Sequence, residues 1–444
     1  MKKLLCLLLA GALLAAPATP SALAARYTNR ADELRDLGLF LGTGSGYALD
    51  RAPTRAEAAA ILVRLLGRET DALSGAHAHP FEDVPAWADG YVGYLFAHQL
   101  TNGVSATRFA PEDVCSVQMF AAFILRALGY SEAAGDFVYG DALAFAEDLA
   151  LVDGLLLQGE FWRDQAVAVM YNALFTRRKG LSATLLETLV DEGAISADAA
   201  APPLDKVARL RALQTAVSGD SSLQSDATAL RFDMSITVTD ETPLSPMRGK
   251  ILSSGVLRWT SREGQPEMEL RFTIQFEESE LAPYELAYYI KDGFFYLDAN
   301  GERVYMPWDL FAPSPAETEI GALSIRPYLV DDIVRTSAPE GTRYTYTSQE
   351  FSLDQLFANV LQALNIDVEE TVPTDARNEL LFAPSGALRA VTTDFAIHAN
   401  DDLTIACSST MTVTASGGDV VIDFPDFTDW GEFVPDPSAV VLRT

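Results

Sequence analysis

One helical pattern occurs three times before residue 180, and that recurrence limits the folds open to the chain. Its fullest copy is TRAEAAAILVRLLG, Thr54 to Gly67. Pro53 fixes the entry, Thr54 is placed to cap the first turn, and Glu57 holds the capping-box position three residues on. Ala58, Ile61, Leu62, Leu65 and Leu66 then share one face at helical spacing. FAAFILRALG, Phe120 to Gly129, repeats the end of this run, with Arg126 in the place of Arg64. RDQAVAVMYNAL, Arg163 to Leu174, repeats its start, with Arg163 in the place of Arg55. A helix with so narrow an apolar face cannot fold alone, so the copies must stack on one another.

The fronts of the repeats complete the unit as helix, Gly-rich loop, helix. In the second, Phe81-Glu82-Asp83-Val84-Pro85 precedes Trp87, Ala88, Tyr91, Val92 and Leu95. Asp83 is expected to cap a helix starting near Pro85, with Trp87, Tyr91, Val92 and Leu95 on its inner face. A turn at Thr101-Asn102-Gly103 and the run Phe109-Ala110-Pro111 lead into the second helix. The first repeat has a front helix over Asp32–Leu37, a Gly42–Gly46 loop and Tyr47-Ala48-Leu49. The third has a helix over Asp141–Val152 and a turn at Asp153-Gly154. A tail helix is expected over Leu181–Ser196.

The 444 residues, 49% hydrophobic, predict two or three domains. Residues 1–24 read as a secretory signal peptide: Lys2 and Lys3 precede an apolar run, and Ala22-Leu23-Ala24 is a cleavage signal. Cys6 stands too early in that run for lipoprotein cleavage, and no later run is long enough for a membrane helix. A net charge of -30 disfavours nucleic acid and anionic membranes as partners. Cys115 and Cys407 fall in different candidate domains, which excludes a stapled scaffold.

These motifs together resemble the S-layer homology domain in its usual set of three. Phe81, Asp83, Val84, Trp87, Ala88, Tyr91 and Val92 carry the resemblance, with Phe109, Pro111, Thr54, Arg55, Glu57 and the Leu-Leu-Gly ending at Gly67. It covers about 26–196, as repeats near 26–70, 78–130 and 136–180 plus the tail helix. The resemblance implies an all-α pseudo-threefold bundle that holds exported proteins on Gram-positive-type cell walls. Its implied partner is secondary cell-wall polysaccharide, often bearing a pyruvyl ketal. Such a ligand presents a carboxylate on a polar ring, which a guanidinium fork and an aromatic platform suit. Arg55 is then the first anion contact and Arg163 the second. Glu57, Asp83, Trp87 and Gly103 complete the candidate polysaccharide-binding set. Arg55 and Glu57 also read as a helix brace, and Trp87 as core. In the second repeat Val117 and Met119 replace the Arg and Glu, and in the third Gln165 replaces the Glu, so at most two grooves are expected to be competent.

Ala197–Pro203 reads as a linker. From Leu204 to about residue 434 a helix precedes a β-rich region, with residues 435–444 as a tail. Strands are expected at Leu230–Thr239, Gly255–Thr260, Glu267–Glu277, Glu285–Lys291, Phe294–Asp298, Arg303–Met306, Arg343–Glu350, Arg377–Phe382, Leu388–His398, Leu403–Thr414 and Asp419–Asp423. Turns at Asp292-Gly293, Asn300-Gly301 and Pro384–Gly386 join them. Helices are expected near Arg326–Thr336 and over Ser352–Leu364. This order resembles the LolA-like or LprG-like lipoprotein-carrier fold, a curved antiparallel half-barrel with crossing helices. That resemblance implies room for a hydrophobic ligand or lipid.

Catalytic signals are poor. His77 and His79 lack a third ligand, Gly42–Gly46 is neither a P-loop nor a nucleophile elbow, and Asp298-x-Asn300-Gly301 is better explained as a hairpin turn than as a calcium loop. The expectation is a non-enzymatic, exported, wall-anchored surface protein without cofactor or metal, displaying a β-rich binding or structural domain. A lipid carrier and a wall enzyme with an unrecognised site are the alternatives.

Overall fold

The computed structural model describes residues 27–154, 156–157, 160–220, 227–240, 249–262, 265–277, 282–307, 325–348, 372–373, 376–398 and 403–433. The signal segment, the Ser352–Leu364 helix and the 435–444 tail lie outside the described residues. The chain divides into two units. The helical unit runs to Leu210 and also includes Arg326–Leu329, and the sheet unit takes Arg211–Ile325 and the chain from Val330 on.

The helical unit contains α1 (Thr28–Asp36), α2 (Arg55–Leu65), α3 (Glu69–Ser74), α4 (Asp89–Ala97), α5 (Val117–Ala127), α6 (Ala142–Asp148), α7 (Arg163–Phe175), α8 (Leu185–Asp191) and the first part of α9 (Ala197–Ser218). α2 starts as its sequence dictates: the Glu57 N–H donates to Thr54 Oγ1 at 3.2 Å, and the Thr54 N–H to Glu57 Oε2 at 2.9 Å. Such caps are worth about 1 kcal/mol. Thr184 and Glu187 repeat the box at α8. Leu34, Leu62, Leu95, Ile124, Met170, Leu186 and Val207, from seven different helices, belong to one buried cluster.

The helices α1, α4 and α6 end in one way. Gly38, Gln99 and Ala150 each adopt positive φ (75, 58 and 58°). The next residue, Leu39, Leu100 or Leu151, donates its N–H back to Leu34, Leu95 or Ala146 at 2.8, 2.8 and 2.9 Å. This is the hydrogen bonding of a Schellman-type helix end. Only the first copy spends a glycine on it.

Several boundaries differ from expectation. Residues 85–88 form a turn, closed by Ala88 N–H to Pro85 O at 2.9 Å, so α4 begins at Asp89. Asp83 therefore caps no helix. The front helix of the third repeat stops at Asp148, where the Ala150 turn ends it, and the tail helix is the shorter α8. Ala197–Pro203 is not a linker but the start of α9. Ser196 Oγ accepts the Ala199 N–H at 3.2 Å, alanines favour the helix, and burial of Ala200, Val207 and Leu210 outweighs the bonds lost at Pro202 and Pro203. The sheet unit accordingly begins inside α9, at Arg211 rather than Leu204.

The sheet unit is one large open mixed sheet. Its strands are β1 (Ala227–Asp240), β2 (Gly249–Arg262), β3 (Gln265–Phe276), β4 (Tyr284–Lys291), β5 (Phe294–Ala299), β6 (Glu302–Pro307), β7 (Val330–Ala338), β8 (Gly341–Ser348), β9 (Val372–Pro373), β10 (Ala376–Phe382), β11 (Leu388–His398), β12 (Leu403–Ser416) and β13 (Gly431–Glu432). The order is β13-β6-β5-β4-β3-β2-β1-β12-β11-β10-β8-β7, with β9 beside β11. Every pairing is antiparallel except β13 with β6. Asp292-Gly293 and Asn300-Gly301 turn the β4–β5–β6 hairpins with positive φ at all four residues, as type I′ turns require. One face carries the ring ladder Phe232, Phe272, Tyr288 and Phe295, with centroids 6.1, 6.0 and 5.7 Å apart.

Two expectations fail in this unit. The helix near Arg326–Thr336 is a turn at 326–329 followed by β7. Pro327 and the β-branched Ile333, Val334 and Thr336 favour extension, and β8 offers a pairing edge. Asp419–Asp423 is not a strand, because β12 is already flanked by β1 and β11 and has no free edge. The chain instead straps the sheet face opposite the ring ladder: Phe427 stacks on Tyr296 at 3.7 Å, and Trp430 meets Tyr289 edge-on at 6.2 Å.

Gly341 tests this register. Its φ is +142°, and a Cβ there would lie 1.8 Å from Phe382 O. Gly341→Ala is expected to lower the stability of the sheet unit by about 2 kcal/mol. Denaturant titration followed by tyrosine and tryptophan fluorescence checks this, and an unchanged midpoint contradicts the β8–β10 pairing.

Candidate functional site

The arginines that begin α2 and α7 are placed by one construction used twice. The first N–H groups of a helix lack intrahelical acceptors. At α2 the Arg55 and Ala56 N–H groups donate to Asp113 O and Pro111 O at 2.9 and 3.0 Å. At α7 the Arg163 and Asp164 N–H groups donate to Arg51 O and Leu49 O at 2.7 and 3.1 Å. Each helix start is thus seated on the loop that leads into another helix. The side chains continue the match. Arg55 Nε donates to Phe109 O at 2.9 Å, and Arg163 Nε to Tyr47 O at 2.8 Å. Both acceptors precede an alanine at positive φ, Ala110 (58°) and Ala48 (49°). Each guanidinium lies over a phenylalanine ring, Arg55 on Phe109 at 4.8 Å and Arg163 on Phe40 at 4.7 Å. At α5 the equivalent residue is Val117, which carries no guanidinium.

The Arg55 surroundings gather three of the candidate residues. Asp83 accepts the N–H groups of Phe109 and Ala110 at 2.8 and 2.9 Å, which fixes the carbonyl that Arg55 uses. Burial disfavours the Asp83 carboxylate, but those two N–H groups and the nearby Arg108 hold its pKa below the usual range. Gly103 allows the loop to close: a Cβ there would lie 2.3 Å from the Phe81 ring and 2.5 Å from Arg108 O. Arg55 Nη1 and Nη2 reach Met119 Sδ and Asn102 O at 3.2 and 3.4 Å. Arg55 is only 9% exposed, whereas Trp87 is 50% exposed and not on the inner face of a helix.

Around Arg163, 3% exposed, the acid Glu57 is the hub. Its carboxylate takes Arg163 Nη1 at 3.0 Å and Arg51 through two bonds of 3.0 and 2.6 Å, besides the Thr54 N–H. Burial pushes the Glu57 pKa up, but the Arg51 fork, the Thr54 N–H and the Arg163 charge outweigh it and leave the group below its ordinary value. Glu57 is thus occupied within the chain. Arg51, a partner as close as Arg163, was missed by sequence reasoning. Its spacing from Glu57 is not a helical one, because the two are joined through the loop.

Among the described residues no group of three or more His, Cys, Asp or Glu could hold a metal ion, and no helix is long and apolar enough to cross a membrane. Cys115 and Cys407 are free and buried, and burial pushes both thiols up to about 12.

Glu57 gives the helical unit an acid-sensitive bond. A carboxylate whose folded pKa lies below its unfolded one contributes stability that is complete above the unfolded value, about 4.3, and lost as pH falls through the folded value. Glu57→Gln is expected to remove about 2 kcal/mol at pH 7 and to flatten the fall in stability between about pH 5 and pH 3. Urea unfolding by circular dichroism across that range checks it, and parallel pH profiles for both proteins contradict it.

No family model matches the chain. It is 34% identical over 137 residues to a cell surface protein of Thermoanaerobacter kivui, covering 30% of this chain and 18% of that one. It is 33% identical over 100 residues to the middle cell wall protein of Brevibacillus brevis, covering 22% and 10%. It is 32% identical over 144 residues to a surface layer protein of Brevibacillus choshinensis, covering 29% and 13%. The chain thus spans less than a fifth of the length of these relatives. Among solved structures, LprF from Mycobacterium bovis is 12% identical, with 49% of this chain and 96% of that chain covered and a TM-score of 0.27. The relatives identify this chain as a secreted protein of the cell surface, in the cell wall or surface layer.

Proposed function

We propose that the helical unit holds this protein on the cell wall without a covalent bond, by binding secondary cell-wall polysaccharide in the manner of S-layer homology repeats. On this reading the three helix–loop–helix segments form a pseudo-threefold bundle and are not enzymatic. The sheet unit is the displayed part, with a binding or structural role.

The observation that carries the reading is the duplicated seat of Arg55 and Arg163. In both, an arginine from one repeat, an aromatic ring and a fixed loop carbonyl from another repeat meet at a helix start. Such a seat holds its donors and rings in place before a ligand arrives, which lowers the entropy cost of binding. The two arginines are buried and bonded within the chain, so a sugar carboxylate meets the more exposed Arg51 and Arg108 beside them, which the two seats hold in place. Trp87 supplies an exposed apolar plate for a sugar face. Val117 leaves the third position without a cation, so two grooves bind and one does not.

Cosedimentation of the full chain with purified cell walls tests this, using walls before and after chemical stripping of the polysaccharide. Binding is expected to intact walls and to be lost on stripping. Trp87→Ala is expected to weaken binding about tenfold, or about 1.4 kcal/mol, with unchanged thermal stability. Equal binding to stripped walls, or none to intact ones, contradicts the proposal.

A further inference from the structure

Four residues from far along the chain belong to the helical unit. Arg326–Leu329 joins it, although the residues before and after belong to the sheet unit. The segment is a tight turn, closed by Leu329 N–H to Arg326 O at 3.1 Å. Tyr328 is fully buried in the same apolar cluster as α1 and α7, with its ring edge-on to Tyr27 at 5.3 Å.

Every polar group of Tyr328 is met. Its N–H donates to Asn172 Oδ1 at 3.3 Å, its carbonyl accepts Arg30 Nε at 2.9 Å, and its hydroxyl donates to the Asp153 carboxylate at 3.1 Å. Arg326 pairs with the same Asp153, Nε to Oδ2 at 3.4 Å, and donates Nη1 to Ala150 O at 3.1 Å.

The sequence of the helices shows what differs at this place. Arg64 of α2 and Arg126 of α5 stand at the same offset from the helix start as Asn172 of α7. Arg64 is held by Glu69 and Tyr91, and Arg126 by Glu132 and by Leu100 O at 3.0 Å. Asn172 is shorter. Its Nδ2 covers Leu151 O at 3.0 Å, the counterpart of Leu100 O, and its Oδ1 takes the Tyr328 N–H. Tyr328 packs beside this shorter side chain, and Arg326 brings a guanidinium to the adjacent carbonyl, Ala150 O.

We propose that the hollow bounded by Tyr27, Arg30, Asp153 and Asn172 is a peptide socket, and that Arg326-Pro327-Tyr328-Leu329 is its built-in ligand. The socket recognises a tyrosine through backbone N–H, backbone carbonyl and phenol, with an arginine two residues before it. This inference stands apart from wall binding and requires no polysaccharide.

The test uses the full chain and a labelled peptide, acetyl-Ile-Arg-Pro-Tyr-Leu-Val-amide. Tyr328→Ala vacates the socket, so this variant is expected to bind the peptide at least tenfold more tightly than the unaltered chain, by fluorescence anisotropy. The same peptide with Phe for Tyr is expected to lose that binding. Equal binding to both chains, or none to Tyr328→Ala, overturns the proposal. If Tyr328→Ala does not fold, amide hydrogen exchange decides. The Tyr328 and Leu329 amides of the unaltered chain are expected to exchange at least 100-fold more slowly than those of the free peptide, and Tyr328→Phe to narrow that gap. Exchange at the free-peptide rate overturns the proposal.

Discussion

The helical unit depends on how the first turn of a helix disposes of its unpaired N–H groups. At α2 and α7 these groups do not end on water or on a side chain alone. They end on carbonyls of a loop belonging to another repeat, at residues 111 and 113 for α2 and 49 and 51 for α7. The arginine at each start then adds a guanidinium to a further carbonyl and an aromatic ring of that other repeat. Removing either loop would leave buried donors unpaired, a loss of about 1–3 kcal/mol for each group. The repeats are therefore coupled by polar bonds of defined direction as well as by their common apolar core.

That coupling explains the chemistry left at the surface. The charged groups that fix the loops are spent internally: Glu57 between two arginines, Asp83 on two backbone N–H groups, Arg55 on loop acceptors. What faces solvent beside these frames is Trp87 and the flanking arginines. A rigid frame with an exposed ring and cation is suited to a flat, anionic, heavily hydrated ligand. The strongly acidic balance of the chain makes such local cationic edges more selective, because the surrounding field repels anions that are not held by specific contacts.

The legible parts of the fold were those written in local chemistry. The Thr54–Glu57 capping box and the Asp292-Gly293 and Asn300-Gly301 hairpins need only neighbours in sequence, and they stand where the spacing puts them. The illegible parts depend on distant partners. Gln99 and Ala150 occupy a left-handed position that only Gly38 announces, because the loop that follows each one holds it there. Asp83 looks like a helix cap but serves Phe109 and Ala110, and Trp87 looks like core but lies outside it. The alanines of 197–203 read as a linker because the prolines signal an end, while burial further along the helix decides the outcome. Arg326–Leu329 gave no signal of its role, since the groups that hold it, Arg30, Ala150, Asp153 and Asn172, stand more than a hundred residues earlier. Of the candidate site, Arg55, Asp83 and Gly103 do come together, and Arg163 joins Glu57, while Arg51 was hidden by a loop.

On the function proposed above, the helical unit binds the wall polymer beside the seats of Arg55 and Arg163. The most direct measurement is an amide hydrogen-exchange footprint of purified secondary cell-wall polysaccharide on the intact chain. Slowed exchange is expected at residues 82–88, 102–110 and 47–52, with unchanged exchange across the sheet unit. Protection confined to the strands, with those three segments unaffected, would contradict it.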